Sequence, residues 1–270
     1  MITRPWGRGG PPVPVIGQGT WRMGEDARAR DQEVAALRLG LDLGLTHIDT
    51  AEMYGDGRAE EIVGEAIADR RAEVVVVTKV MPSGASYDGT LRAFEASLKR
   101  LRTSYVDVYL LHWWGNRHPI GETMRAMETL VERGLLRGIG VSNFDVPQLK
   151  AAQAALRRER LLCNQVLYHL GDRGVEKSVL PFCERAGIAV VGYTPLARGG
   201  FLRSGVVAEI ARTHGRTPRQ VALNFLTRRP SLFTIPKAAQ LEHVRENAAA
   251  LDFTLTAAEI TAIDRAFKRR

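Results

Sequence analysis

The sequence predicts a single α/β domain, residues 1–270, folded as a closed (β/α)8 TIM barrel. Three observations carry this. Eight short β-branched runs recur along the chain, and most are followed by a stretch with helical apolar periodicity. The runs are continuously apolar, as strands buried on both faces are, so their alternation with helices implies parallel pairing through right-handed crossovers. Eight such units in 270 residues suit a closed barrel. An open doubly wound sheet would carry a glycine-rich turn after its first strand. Gly17 and Gly19 stand there, but neither a third glycine nor a prompt helix follows.

The elements follow in order. A Gly- and Pro-rich start, residues 5–14, reads as a loop or hairpin closing the barrel floor. The strands are residues 15–20, 46–50, 74–79, 105–112, 138–142, 161–167, 189–194 and 232–236. Helical patterns occupy 31–43, 60–68, 91–101, 122–133 and 146–157, and a last helix covers 256–267. Gly44, Gly134 and Gly187 fall where helices should end, since glycine takes the left-handed conformation cheaply. Thr217, Pro218, Arg219 and Gln220 form a capping box with Pro at the first helical position, and Thr256 to Glu259 form a second box. No repeat, linker or low-complexity segment divides the chain.

Composition narrows the function classes. No run of about 18 apolar residues is present, so no membrane span is expected. The first residues lack the apolar core of a signal peptide, and a cytoplasmic location is expected. Cys163 and Cys183 have neither zinc nor redox spacing and read as small buried hydrophobes. The net charge is +8, but the arginines are scattered over many helices rather than clustered, which argues against nucleic acid as partner.

In a barrel of this type the chemistry sits at the C-terminal strand ends. The second strand ends at Asp49 and is followed by Tyr54, the third ends at Lys79, and the fourth at His112. Each alone has an ordinary structural reading: a helix cap, a solvated amine, a packing ring, a core imidazole. Together they place an acid, a phenol, an amine and an imidazole on one rim. A free tyrosine titrates near 10, and an adjacent ammonium would favour the phenolate and pull that value down. Asp49 would supply the counter-charge a buried Lys79 needs. His112 would orient a carbonyl or pass a proton, according to its tautomer. General acid help of this kind is worth about 10²–10⁴ in rate.

The run from His47 through Asp49 and Tyr54 to Gly55, then Val77, Thr78 and Lys79, then Leu110, Leu111, His112 and Trp113, then Gly140, Val141, Ser142, Asn143 and Phe144, then Asn164, Gln165 and Val166, resembles the aldo-keto reductase superfamily over residues 13–251. The resemblance implies an NADPH-dependent oxidoreductase that reduces aldehydes or ketones to alcohols. Asp49, Tyr54, Lys79 and His112 would be its catalytic tetrad, with Tyr54 protonating the carbonyl oxygen. It implies that Ser142, Asn143 and Gln165 hold the nicotinamide carboxamide, whose donors and acceptors their side chains match. Ser142 and Asn143 could also simply cap the next helix. Tyr193 would stack on the nicotinamide, and Thr20 and Leu196 would also touch the cofactor. The loop 195–202 resembles the family's strap over the pyrophosphate, with glycines that permit close backbone approach.

One segment departs from the family pattern. Where relatives have Ile-Pro-Lys-Ser and then an arginine six residues after the lysine, this chain keeps Lys237 but has Ala238 for the serine and His243 for the arginine. Glu246 and Asn247 are retained. Lys237 still offers a charge to the 2′-phosphate, but His243 cannot make the two-pronged guanidinium contact. Arg245 is a poor substitute, because two residues along a helix turn it toward the opposite face. The expectation is an NADPH preference weaker than usual, with NADH also accepted. No metal is expected.

Trp21, Met53, Trp113 and Trp114 suggest an apolar, aromatic substrate pocket, with Trp21 and Trp113 as the contacts that the resemblance favours and one of the paired tryptophans free to pack the barrel shoulder. Leu167 and Leu170 stand where relatives often have glutamate and proline. Only three residues follow the last helix, so the expectation is an open, permissive site for small aldehydes, dicarbonyls or keto sugars, in a monomer. A rival reading is an NADPH-binding auxiliary subunit of the potassium-channel β type, with little turnover; the complete tetrad argues against it. A barrel isomerase or metal-assisted hydrolase would want a phosphate grip or clustered ligands at the rim.

Overall fold

The computed structural model describes residues 1–200 and 205–268. Two short strands, β1 (Thr3–Pro5) and β2 (Pro12–Pro14), form an antiparallel hairpin ahead of the barrel. It brings Trp6 beneath the barrel, fully buried against His47 and Phe233, so the expected floor plug is a hairpin.

Eight parallel strands follow: β3 (Gln18–Gly19), β4 (His47–Asp49), β5 (Val75–Val80), β6 (Val108–Leu111), β7 (Ile139–Ser142), β8 (Leu161–Leu167), β9 (Ala189–Tyr193) and β10 (Leu232–Thr234). Each pairs with its sequence neighbour. Isolated parallel bridges from Ile16 to Thr234 and from Gly19 to Lys237 join the first strand to the last and complete the ring. The first strand is shorter than the 15–20 predicted, because residues before Gln18 reach β10 by single bridges rather than by a continuous ladder.

The helices after these strands are α1 (Arg30–Asp42), α2 (Arg58–Ala66), α3 (Tyr87–Leu101), α4 (Ile120–Glu132), α5 (Val146–Ala155), α6 (Val179–Ala186), α7 (Gly205–Thr213) and α8 (Pro218–Leu226), then α9 (Leu241–Ala248) and α10 (Ala257–Ala266). Thr217 and Thr256 cap α8 and α10 with reciprocal capping boxes, as their sequences predict. Gly187 ends α6 with a φ of 71°, a left-handed conformation that glycine adopts without a Cβ penalty. The helix after β7 is capped by Asp145, which leaves Ser142 and Asn143 free for other work. Both cysteines are buried, and burial pushes Cys163 well above the ordinary thiol range and Cys183 up to about 12.

Candidate active site

Tyr54 is held by an unusual turn. It opens a 3-10 segment, Tyr54–Gly57, in which Gly55, Asp56 and Gly57 all have positive φ, at 55°, 55° and 88°. A Cβ on Gly55 would lie 2.8 Å from the carbonyl oxygen of Met23, so only glycine fits. Asp tolerates the left-handed region better than most residues. The turn swings Tyr54 back over the end of β4.

There the four predicted side chains meet. Lys79 Nζ, fully buried, donates to both carboxylate oxygens of Asp49 at 2.9 and 2.8 Å and to the carbonyl of Thr50 at 2.7 Å. Its remaining approach is to the Tyr54 hydroxyl, at 3.5 Å. Burial alone would lower the Lys79 pKa, but Asp49 and Tyr54 reverse that and hold it above its ordinary value, so the ammonium persists. His112 sets its ring edge-on to Tyr54 with centroids 5.8 Å apart. Burial and the nearby Lys79 charge push His112 down to about 3, which makes it a neutral imidazole at pH 7. Its buried Nδ1 has no partner, which leaves Nε2 to serve a ligand.

One expectation is reversed. Lys79 does pull the Tyr54 phenol down, but burial outweighs it and the pKa lies above the usual 10. Tyr54 therefore keeps its proton through the neutral range.

The tetrad opens on a cleft of about 880 Å³. Asp49, Tyr54 and His112 line it, together with Trp21, Trp113, Asn143, Gln165, Tyr193, Leu196 and Lys237 from the predicted set. Gln165 Nε2 donates to Asp49 at 2.7 Å and so ties β8 to the tetrad carboxylate. Asn143, at φ 62°, receives the Tyr193 hydroxyl at 2.9 Å and donates to Ser142 Oγ at 3.1 Å. Ser142 is buried behind it, and Thr20 is buried with its hydroxyl on the Asp49 carbonyl at 3.0 Å. Trp113 is on the rim, whereas Trp114 stacks on Phe144 and donates to the His118 carbonyl.

Ala238, His243, Glu246 and Asn247 do not line the cleft. Ala238 packs on the core, and Asn247 is buried with an unpartnered Oδ1. Glu246 stands 3.0 Å from Arg219. Arg245 is exposed and away from the cleft, as its helical phase predicts. Of the predicted strap, Pro195, Leu196, Arg198 and Gly199 border the cleft; residues 201 and 202 lie outside the described residues.

Sequence reasoning assigned no side-chain role to several charged groups of the cleft. Arg22 and Glu25 pair at 3.0 Å, Arg198 sits over the Trp21 ring at 4.9 Å, and Arg219 enters from the first turn of α8. Arg219 stands inside a capping box, and that motif gives no hint of what its side chain faces.

A family model described as the aldo/keto reductase family matches residues 15–268. The chain belongs to the aldo/keto reductase family. A methylglyoxal reductase of Escherichia coli, YeaE, is 47% identical over 260 residues, which cover 94% of this chain and 91% of that one. A 9,11-endoperoxide prostaglandin H2 reductase of Trypanosoma cruzi is 35% identical, covering 93% of this chain and 87% of the relative. Among solved structures, an aldo-keto reductase from Klebsiella pneumoniae in complex with NADPH superposes with a TM-score of 0.94 at 46% identity, covering 100% of this chain and 97% of that one. The fold is thus that of aldo/keto reductases.

Proposed function

We propose that this aldo/keto reductase is an NADPH-dependent carbonyl reductase acting on small aldehydes, 2-oxoaldehydes such as methylglyoxal foremost, with Tyr54 as general acid. The observation that carries the reading is the Tyr54 hydroxyl beside the Lys79 ammonium on the wall of a cleft large enough for a dinucleotide and a small carbonyl. The cleft suits NADPH in its chemistry. Asn143 and Gln165 supply amides for a carboxamide, the Tyr193 ring supplies a stacking face, and Lys237 supplies a cation. Bound there, the cofactor would supply the hydride.

The protein's own residues do the rest. Neutral His112 offers Nε2 to the carbonyl oxygen and orients it toward the Tyr54 hydroxyl. Tyr54 gives its proton to that oxygen as negative charge grows there, and the ammonium of Lys79 stabilises the phenolate left behind. Asp49 keeps Lys79 charged and in line. Trp21, Met53 and Trp113, all exposed on the rim, form an apolar mouth for short aldehydes. The proposal includes a monomer working in the cytoplasm; no helix among the described residues is long and apolar enough to cross a membrane.

The test is NADPH oxidation with methylglyoxal and a panel of aldehydes and ketones. We expect steady turnover and broad acceptance. Tyr54→Phe should cut kcat/KM by about 10²–10⁴ while NADPH still binds. Unchanged reduction by that variant would remove Tyr54 from the role. Tight NADPH binding with no turnover on any carbonyl would favour an auxiliary subunit.

A further inference from the structure

We infer that Arg219 completes the cofactor's 2′-phosphate grip in this chain, in place of the arginine that His243 displaces. The inference rests on the NADPH reading above.

A phosphate monoester carries nearly two negative charges at neutral pH and is held best by more than one cation, with guanidinium favoured for its forked donors. Four cations line the cleft: Arg22, Arg198, Arg219 and Lys237. Two stand at the tryptophan end of the cleft, Arg22 next to Trp21 in the chain and Arg198 over its ring at 4.9 Å. Arg22 pairs with Glu25 at 3.0 Å. Arg219 and Lys237 remain.

Both border the cleft, Lys237 ahead of α9 and Arg219 on α8, which packs against α9. Lys237 follows β10 and is tied by a parallel bridge to Gly19, and the turn after it is fastened to α1 by Gln32, which donates to the Ala239 carbonyl at 3.1 Å. The chain then enters α9. The first turn of α8 lies against that helix, where Gln220 donates to the Glu246 carbonyl at 3.2 Å. Arg219 Nε meets Glu246 Oε2 at 3.0 Å, with both side chains about four-fifths buried, at 19% and 22% exposure. One carboxylate oxygen at Nε positions the group without exhausting its five N–H donors. The terminal nitrogens make no hydrogen bond among the described residues, and the residue borders the cleft. His243, on α9, does not border it. The α8 dipole adds positive potential in the same turn.

Dissociation constants for NADPH and NADH, and for adenosine 2′-monophosphate and adenosine 5′-monophosphate as fragments, measured by calorimetry, test this directly. We expect Arg219→Ala to weaken NADPH and the 2′-monophosphate at least about tenfold, since one charged hydrogen bond is worth about 1.5–3 kcal/mol. NADH and the 5′-monophosphate should stay within about twofold, and Arg219→Lys should recover part of the loss. The double variant Arg219→Ala with Glu246→Gln should keep the loss. If the double variant restores NADPH binding, the effect came from a bared Glu246 carboxylate and the inference fails. It fails too if NADPH is unaffected, or if NADH weakens equally. A wild-type protein that binds no NADPH overturns the functional reading itself; one that binds it and ignores the Arg219 change overturns only this inference.

Discussion

A proton that stays on Tyr54 through neutral pH sets the pH behaviour of the proposed reaction. Burial lifts the phenol above 10 despite Lys79, and His112 is pushed down to about 3 by burial and the Lys79 charge. Neither group changes state between pH 6 and 8. Carbonyl reduction, which needs the phenol, should be flat in kcat/KM across that range, and alcohol oxidation, which needs the phenolate, should climb steadily with pH. An inflection in reduction near 6.5, where an ordinary imidazole titrates, would contradict the neutral His112. Asp49→Asn should be costly in two ways. It leaves the fully buried Lys79 without its counter-charge, which destabilises by about 3–5 kcal/mol, and it loosens the amine under Tyr54. Chemical denaturation alongside kcat separates the two effects. That these four side chains gather was legible in the sequence, because Asp49, Lys79 and His112 stand at the ends of consecutive strands and Tyr54 follows the first of them. The sign of the Tyr54 shift was not, since the burial that opposes Lys79 is created by chain segments far apart in sequence.

At the scale of elements, the strands were legible and the turn that aims Tyr54 was not. The eight β-branched runs all became strands, because parallel strands covered on both faces leave a continuous apolar signature. Boundaries slipped where pairing is sparse, as before Gln18. The Tyr54–Gly57 segment has no periodicity to read, yet its three left-handed residues fix where the phenol points. Gly55→Ala forces a Cβ to within 2.8 Å of the Met23 carbonyl at a φ of 55°. The left-handed strain alone costs about 1–2 kcal/mol. We expect a lower Tm and a fall in kcat larger than any rise in KM, because the proton donor shifts while the rest of the cleft stays. A variant that loses stability but keeps kcat would show that the turn does not set the Tyr54 position. Arg219 belongs to this scale too: its capping box was readable, its outlook onto the cleft was not, because that depends on how α8 meets α9.

The whole barrel is fastened at its last helix by a buried charge network that no local pattern announces. Arg173 is fully buried and bonds Glu176 at 2.9 and 2.7 Å, meets Asp264 of α10 at 2.6 Å, and lies over the Phe225 ring. Tyr168 and Arg228 also bond Glu176, at 2.6 and 3.0 Å. The loop after β8, the turn after α8 and helix α10 are thereby joined through Glu176 and Arg173 together. Burial alone would raise the Glu176 pKa, but Arg173, Tyr168 and Arg228 hold it at about 2. Its folded value is below the unfolded one, so its stabilisation is complete above about 4.5 and is lost as pH falls toward 2. His47, buried under the barrel against Trp6, is held down to about 3 by burial and the Lys79 charge. Below about 6.5 the unfolded chain takes up a proton there that the folded chain refuses, so stability also falls from 6.5 toward 3. The Tm should therefore drop in two stages on acidification, the first set by the neutral His47 and His112 imidazoles and the second by Glu176. Arg173→Met tests the second stage. At pH 7 it leaves the buried Glu176 carboxylate short of a cation and should cost about 3 kcal/mol. Near pH 3, Glu176 freed of Arg173 takes up its proton more readily, so the gap to the wild type should narrow. Urea denaturation of both proteins at the two pH values decides it, and a gap equally wide at pH 3 would mean that Arg173 acts through its packing on Phe225 rather than through charge.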